Sequence, residues 1–213
     1  MTAASPTRHA AGFTLVEVMV ALVIMAVLAA MAFRGVDALV HAKDSALAAT
    51  DRTLKLNTGV SQFDYDISQV VDSKVLPQPI MFDGATLRVA RRTPDGIQLV
   101  LWSLQDRRWQ RWASGSFTRI AQLTDAWMRS QQWDAISGSA VTVLNDVDSF
   151  QVYVCNPVST TIKGCNWSNV QSTQGTSTQG PGAPPTVIQP VAIRIALKLA
   201  QGDLTRDREL PRW

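Results

Sequence analysis

Apolar residues are concentrated in one early block of the chain. Every residue from Val18 to Phe33 is apolar, and counting the block from Phe13 adds only two polar interruptions, Thr14 and Glu17. A helix of this length rises about 30 Å, which matches the hydrocarbon core of a bilayer. The pattern therefore predicts a transmembrane helix over residues 13–33.

The candidate cleavage residue lies before this apolar block. In an ordinary secretory signal the order is reversed, and the cleavage site follows the apolar region. Here Gly12 precedes the block, so residues 1–12 are predicted to be a removable leader peptide. Glu17 falls in the first turn, where a charge held in lipid costs about 2.5 to 3.5 kcal/mol on insertion scales. We therefore expect a compensating partner for this carboxylate. A plain signal anchor, in which Gly12 and Glu17 are incidental, is the alternative interpretation.

Beyond the block, apolar residues recur at spacings of three, four and seven, with polar residues between them. This periodicity predicts an amphipathic continuation of the helix over residues 34–70. Gly35 and Gly59 are weak points of that helix, at about 1 kcal/mol each relative to Ala. The periodic apolar positions are Val36, Leu39, Val40, Leu47, Leu54, Leu56, Val60, Phe63 and Ile67.

The remainder, residues 71–213, is predicted to be a β-rich domain built on an antiparallel sheet. Residues 97–104 pair naturally with residues 108–113 across a polar turn, and Pro94-Asp95-Gly96 is another turn signal. A Ser/Thr/Gln/Gly/Pro-rich stretch predicts a flexible loop at about 156–190. The other predicted strands are 85–91, 141–143, 149–154 and 191–199, the last of them closing the sheet.

The run Gly12-Phe13-Thr14-Leu15-Val16-Glu17 resembles the processing signature of type IV pilins and pseudopilins. The resemblance implies that a prepilin peptidase cuts between Gly12 and Phe13 and that the new N-terminal Phe13 is N-methylated. It also implies that Glu17 meets the N-terminus of a neighbouring subunit during assembly. The implied architecture is α+β, the type IV pilin fold: a long N-terminal helix, transmembrane in its first half, packed on an antiparallel β-sheet domain.

Residues Phe33 to Leu39 are similar to the same segment of J-type minor pseudopilins of type II secretion systems. This resemblance implies a structural, non-enzymatic subunit of the tip or initiation complex of a periplasmic pseudopilus, used in export of folded proteins. Implied partners are the I-, K- and H-type minor pseudopilins, the major pseudopilin, the prepilin peptidase and the bacterial inner membrane, with the C-terminal domain in the periplasm. A minor pilin of a type IV pilus and a membrane-anchored periplasmic enzyme are the alternatives.

Composition narrows the possible partners. The chain has 20 Lys and Arg against 17 Asp and Glu, a net charge of +3 that is spread along the sequence. A nucleic-acid-binding protein would gather that excess on a stripe or patch, so no nucleic acid is expected as a partner. No cofactor is expected either, because no motif for one stands out.

The two cysteines, Cys155 and Cys165, lie in a polar segment. They could form a disulfide if the domain lies outside the cytoplasm, and would more readily stay free thiols inside it. Two thiols without a neighbouring histidine supply only half of a zinc site, so no metal is expected there. Since the resemblance implies a periplasmic domain, the disulfide is the favoured prediction, with buried unlinked thiols as the alternative.

Two Asp-x-Asp pairs could ligate calcium, which takes several oxygen ligands. Asp64 and Asp66 fall on the predicted helix, where residues two apart point in different directions, so a solvated face is favoured for them. Asp146 and Asp148 flank a turn and are the better metal candidates, although two carboxylates are too few.

The cluster Arg107-Arg108-Trp109-Gln110-Arg111-Trp112 is predicted to form a half-exposed sheet face with cation-π packing. A contact with a partner subunit and a stacking platform for nucleic acid are the alternatives. The two histidines, His9 in the leader and His41 near the membrane end of the helix, leave no nucleophile with a plausible base.

Overall fold

The computed structural model describes residues 12–157, 165–170 and 190–212. Within these ranges a long helix is followed by antiparallel strands and a second, shorter helix, which confirms the predicted α+β class. The elements, in chain order, are α1 (Leu15–Ser68), β1 (Ile80–Phe82), β2 (Thr86–Thr93), β3 (Gly96–Gln105), β4 (Arg108–Phe117), α2 (Ile120–Ser130), β5 (Val141–Leu144), β6 (Val147–Pro157), β7 (Cys165–Asn169), β8 (Ala192–Leu199) and β9 (Gly202–Glu209).

The chain divides into two compact units, Met1–Asp51 and Arg52–Trp213. In the first unit, every described residue from Gly12 onward is exposed, although most of them are apolar. In the second unit, the last turns of α1 bury one face, beginning at Gly59. The helix ends at Ser68, close to the predicted limit of residue 70.

The first sheet has the order β1-β2-β3-β4-β5, a meander in which each strand pairs with the next. The predicted hairpin is confirmed, since Gln105 pairs with Arg108 across the two-residue turn Asp106-Arg107. Both turn residues have positive φ, 49° and 61°, the conformation in which a two-residue turn follows the twist of its strands. The Pro94-Asp95 turn joins β2 to β3 in the same sheet.

A second sheet, with the order β7-β6-β8-β9, was not expected from the sequence, which predicted a single sheet. The chain passes from one sheet to the other through the short Asn145-Asp146 connection. Two further predictions were wrong here. Strand β8 is not the last strand, because β9 follows it, and β7 lies inside the segment predicted to be a flexible loop. The rest of that predicted loop, 158–164 and 171–189, lies outside the described residues.

The main core of the second unit lies between the last turns of α1 and the inner faces of both sheets. Its largest fully buried side chains include Trp102 and Trp109 of the first sheet, and Phe63 of α1. A smaller cluster covers the opposite face of the first sheet, where α2 places Leu123 and Trp127 over the sheet. Both faces of the first sheet are therefore covered.

A buried arginine ties α2 to the first sheet. Arg88 is 4% exposed, and its Nε donates to the Ser130 carbonyl oxygen, 3.1 Å away, at the C-terminus of α2. Its Nη1 donates to Asp83 Oδ2 at 2.6 Å. A cation near the end of a helix satisfies a carbonyl that has no partner within the helix and interacts favourably with the helix dipole.

Candidate functional site

The predicted processing residues precede the first turn of α1. Gly12 and Phe13 are outside the helix, and Phe13 is 86% exposed. Thr14 follows as the residue before the first helical position, Leu15. The backbone between Gly12 and Phe13 therefore lies outside regular secondary structure, just ahead of the helix.

Thr14 and Glu17 form a capping box. The Thr14 backbone N and Oγ1 each lie 3.1 Å from Glu17 Oε2, and the Glu17 backbone N–H donates to Thr14 Oγ1 at 3.3 Å. This reciprocal arrangement satisfies two backbone N–H groups that a helix start leaves unpaired. Within the described residues no ion pair compensates the Glu17 carboxylate, whose hydrogen-bond partner there is Thr14.

The apolar run that follows Glu17 has no buried residue in the single chain. By length and composition, α1 is the one helix of the described residues that can cross a membrane. An exposed apolar surface of this size is not stable in water and requires lipid or a partner. The N-terminal helix can therefore anchor the chain in a membrane.

Near the other end of α1, Asp66 is fully buried and faces the first sheet. Within the described residues its carboxylate accepts five hydrogen bonds, from four side chains. These are Gln62 Nε2 at 3.0 Å, Arg91 Nη1 at 2.7 Å, Trp102 Nε1 at 2.9 Å, and Arg111 Nε and Nη2 at 2.8 and 2.9 Å. We call these five residues the Asp66 cluster.

Two guanidinium groups share this one carboxylate, so the cluster carries a net positive charge. Arg91 also donates to Gln98 Oε1 at 2.8 Å and lies 5.3 Å from the Tyr65 ring centroid. Charge-assisted hydrogen bonds are the strong ones, and their geometry fixes direction as well as distance. The cluster therefore holds the last turns of α1 in one register on β2, β3 and β4.

The prediction of a solvated face was wrong for Asp66. Asp64 and Asp66 do point in different directions, as helical geometry requires. Asp64 bonds Arg206 of β9, with Nε 3.0 Å from Oδ2, while Asp66 points into the core. One signal was present in the sequence: Asp66 shares the helical spacing of Phe63, Ile67 and Val70, so it falls on the apolar face.

Gly59 is the point of closest approach between α1 and the first sheet. A Cβ built there would overlap Val143 Cγ1 and lie 3.0 Å from Trp109 Cζ3. One turn later, the Phe63 and Trp102 rings meet edge to face at 5.6 Å between centroids. A side chain at position 59 would push the helix away from the sheet, so glycine is required there. Gly35, by contrast, has no described atom within 4 Å of the position of a Cβ.

Cys155 and Cys165 are joined in a disulfide, with their Cα atoms 5.4 Å apart. The bond links β6 to β7, whose ladder also pairs Cys155 with Trp167. Trp167 in turn lies under the Arg194 guanidinium, 4.1 Å from the ring centroid, and Arg194 forms a bidentate ion pair with Asp207. The β7 strand is therefore held by a covalent bond and by a cation-π contact.

The remaining candidate residues are engaged with partners of their own. Asp146 Oδ2 lies 3.4 Å from Arg52 Nη2, and Asp148 Oδ1 lies 2.9 Å from Arg107 Nη2. The described residues contain no group of three or more His, Cys, Asp or Glu side chains that could hold a metal ion. His41 contacts Asp37 on the exposed helix.

The residues Arg107 to Trp112, at the start of β4, do not form the predicted half-exposed face. Trp109 is fully buried in the main core, and Gln110 is 7% exposed on the opposite face. Trp112 packs against the smaller cluster under α2, and its Nε1 donates to Ser139 Oγ at 2.8 Å. The prediction failed because α2, which covers that face, was not foreseen. The cation-π contact that forms is between Arg111 and Trp102 of β3, at 5.9 Å.

Residues 7–33 match the family model described as the prokaryotic N-terminal methylation motif. The match covers the end of the predicted leader, the predicted cleavage position, Glu17 and the apolar run. This supports a pilin- or pseudopilin-type protein. The motif implies processing by a prepilin peptidase and pilin-like assembly, and together with the fold it points to a structural protein. No curated protein sequence matches the chain significantly.

Proposed function

We propose that this chain is a structural minor pseudopilin of a type II secretion system, of the J type. It would act in the tip or initiation complex of the periplasmic pseudopilus during export of folded proteins. The observation that carries the proposal is the methylation motif over residues 7–33, with Phe33 to Leu39 directly after it. The α+β architecture, a long N-terminal helix followed by antiparallel sheets, is consistent with a pilin-like fold.

In this proposal residues 1–12 are the leader, residues 13–33 span the inner membrane, and residues 34–70 continue the helix. Residues 71–213 form the periplasmic domain. The disulfide between Cys155 and Cys165 supports this placement, because structural disulfides persist in oxidising compartments such as the periplasm.

The peptidase would cut between Gly12 and Phe13, and methylation would follow on the Phe13 amine. The free amine would then lie one residue before the capping box, near the Glu17 carboxylate of its own or of an adjacent subunit. Because the chain itself supplies no cation for Glu17 within the described residues, an ion pair with a neighbouring N-terminus is the expected compensation in lipid. The neighbours would be the major pseudopilin and the I-, K- and H-type minor subunits.

A minor pilin of a type IV pilus is the second candidate, since the same motif directs assembly of both kinds of filament. The two candidates differ in the machine that uses the subunit. Deletion of the gene in its own host separates them. If exoproteins accumulate in the periplasm while pili persist, the secretion role stands. If pili are lost while secretion persists, the chain is a minor pilin.

Complementation with processing variants tests the proposed sites. Replacing Gly12 with a bulky residue is expected to block cleavage and leave the longer precursor in the membrane. Glu17→Val is expected to permit cleavage and to prevent assembly. Asp44→Val replaces an exposed carboxylate of the same helix outside the Phe33 to Leu39 segment, so it is the matched control and should retain both steps. Cleavage of the Gly12 variant at the normal rate would contradict the assigned site.

A further inference from the structure

Strand β9 is the longest free edge of either sheet among the described residues. The other edge strands are shorter: β1 has three residues, β5 has four, and β7 has five and carries the disulfide. Strand β9 has eight residues, pairs with β8 on one side, and exposes all of them except the half-buried Leu204. A long exposed edge is a template for a further strand unless its side chains prevent pairing.

The charges of β9 are sorted by face. On the outer face of the sheet, opposite Arg194, Lys198 and Ala192, lie three acidic residues: Asp207, Asp203 and Glu209. On the inner face, opposite the buried Ile195 and Ile193, lie two basic residues: Arg206 and Arg208. Each face of this edge therefore carries one sign of charge.

This arrangement opposes pairing with a second copy of the chain. Directly opposed residues of an antiparallel pair lie on the same face, so two copies of β9 would set acid against acid and arginine against arginine. The same arrangement favours pairing with a strand whose charges are the reverse of those of β9. Such a strand has basic side chains on the outer face and acidic side chains on the inner face.

Three of the five charged residues on β9, Asp203, Arg208 and Glu209, have no ion pair within the described part of the chain. Arg206 is bonded to Asp64 and Asp207 to Arg194, but Arg208 and Glu209 are exposed and unpaired there. These two residues also line an open pocket of about 500 Å³ between the end of α1 and the C-terminal end of β9. An added strand would reach this pocket at the end of the edge.

We propose that the β9 edge binds an extended segment of a different protein chain, whose alternating basic and acidic side chains complement those of β9. The mode is strand addition, in which main-chain hydrogen bonds give affinity and alternate side chains give specificity. The inference does not depend on which filament the chain serves, since it concerns the partner of one edge.

The test uses the full chain, isotope-labelled in detergent micelles, and two synthetic peptides. The peptide KEKETVK, aligned antiparallel from Glu209 to Asp203, places lysine against each acidic residue and glutamate against each arginine. The peptide EKEKTVE reverses every charge. We expect KEKETVK to produce saturable amide shifts in β9 and to bind at least about fivefold tighter than EKEKTVE. Equal binding of the two peptides, or saturable shifts confined to other strands, would overturn the proposal.

A double variant, Arg208→Glu with Glu209→Arg, keeps the composition and inverts two positions. Because both side chains are exposed and unpaired among the described residues, the tryptophan fluorescence should be unchanged. The preference for KEKETVK should fall by about threefold or more. Sedimentation of the wild-type chain and of this variant tests the remaining possibility, self-association. A wild-type dimer that the variant disrupts would show that the edge pairs with a second copy of the chain. That result would also overturn the proposal.

Discussion

Two carboxylates near opposite ends of α1 differ in burial and in the number of their hydrogen bonds. Asp66 is fully buried, and the chain surrounds it with five hydrogen bonds, three of them from two arginines. Glu17 lies at the start of an exposed apolar run and is bonded to Thr14 alone among the described residues. The charge of Asp66 is compensated by its own fold, whereas no ion pair within the described residues compensates Glu17.

The different environments of Asp66 and Glu17 indicate that the two ends of α1 have different roles. The end that carries Asp66 is fixed on the first sheet by side chains from three strands, which is the arrangement expected of a structural attachment. The end that carries Glu17 has no tertiary contact of its own in the described residues, and its apolar surface needs lipid or a partner. Substitutions at the two ends should therefore affect different measurements.

The largest effect is expected from Asp66→Asn. This change leaves two largely buried guanidinium groups without their counter-charge, and breaking a buried pair costs about 3–5 kcal/mol. Urea unfolding of the full chain in detergent micelles, followed by tryptophan fluorescence, measures the loss. All seven tryptophans lie beyond residue 100, so the signal reports the β-rich domain.

Asp64→Asn is the matched control, two residues away on the same helix. It removes a more exposed ion pair with Arg206, and exposed pairs of this kind contribute little to stability because solvent screens them. An equal loss of stability in the two variants would show that burial of Asp66 is not what makes it important.

The next effect in size is expected from Gly59→Ala. The added methyl group meets Val143 and Trp109, and overpacking of this kind typically costs about 1–3 kcal/mol, which the better helix propensity of Ala offsets by about 1 kcal/mol. Gly35→Ala is its control, because the new methyl group meets no described atom and the helix propensity favours Ala by about 1 kcal/mol. The same unfolding experiment should show destabilisation for Gly59→Ala and none for Gly35→Ala. Equal behaviour of the two glycines would contradict the close approach at Gly59.

A smaller, pH-dependent effect is expected at Asp83. Burial raises the pKa of this carboxyl, but the N–H groups of Ala85 and Thr86 and the guanidinium of Arg88 outweigh it and hold the pKa below 3.8. A depressed pKa contributes stability that is present above the unfolded-state value and is lost as the pH falls through the folded-state value. Asp83→Asn should flatten the dependence of unfolding free energy on pH below 3.8. An unchanged slope would contradict this role.

The smallest effect on unfolding is expected from Glu17→Val. Within the described residues Glu17 is hydrogen-bonded to Thr14 alone, so the urea midpoint reported by the tryptophans should equal that of the wild type. Its effect should appear in assembly alone. A shifted midpoint would show that the two ends of the helix are not independent.

The sequence predicted the elements whose signal is local. The apolar run, the Asp106-Arg107 turn and the strands β3 and β8 each depend on one short continuous segment, so their structure follows from residue type, spacing and turn chemistry. Helix α2 was missed although Leu123, Ala126 and Trp127 have helical spacing, because the segment is short and follows a strand. Strand β9 was missed because five of its eight residues are charged, and only pairing with β8 makes it a strand.

The Asp66 cluster could not be predicted from spacing alone. Its arginines lie 25 and 45 residues further along the chain, on strands whose inward faces are fixed only by the sheet. The N-terminal motif, in contrast, could be found in the sequence, because it is one continuous segment whose recognition needs no tertiary structure.

We propose that the chain is a pilin-type subunit processed after Gly12. Mass spectrometry of the N-terminal peptide, from protein isolated from the membranes of its own host, tests this processing directly. We expect a mature chain that begins at Phe13 with one added methyl group on its amine. A chain that still begins at Met1, or one cut on the far side of the apolar run, would contradict it.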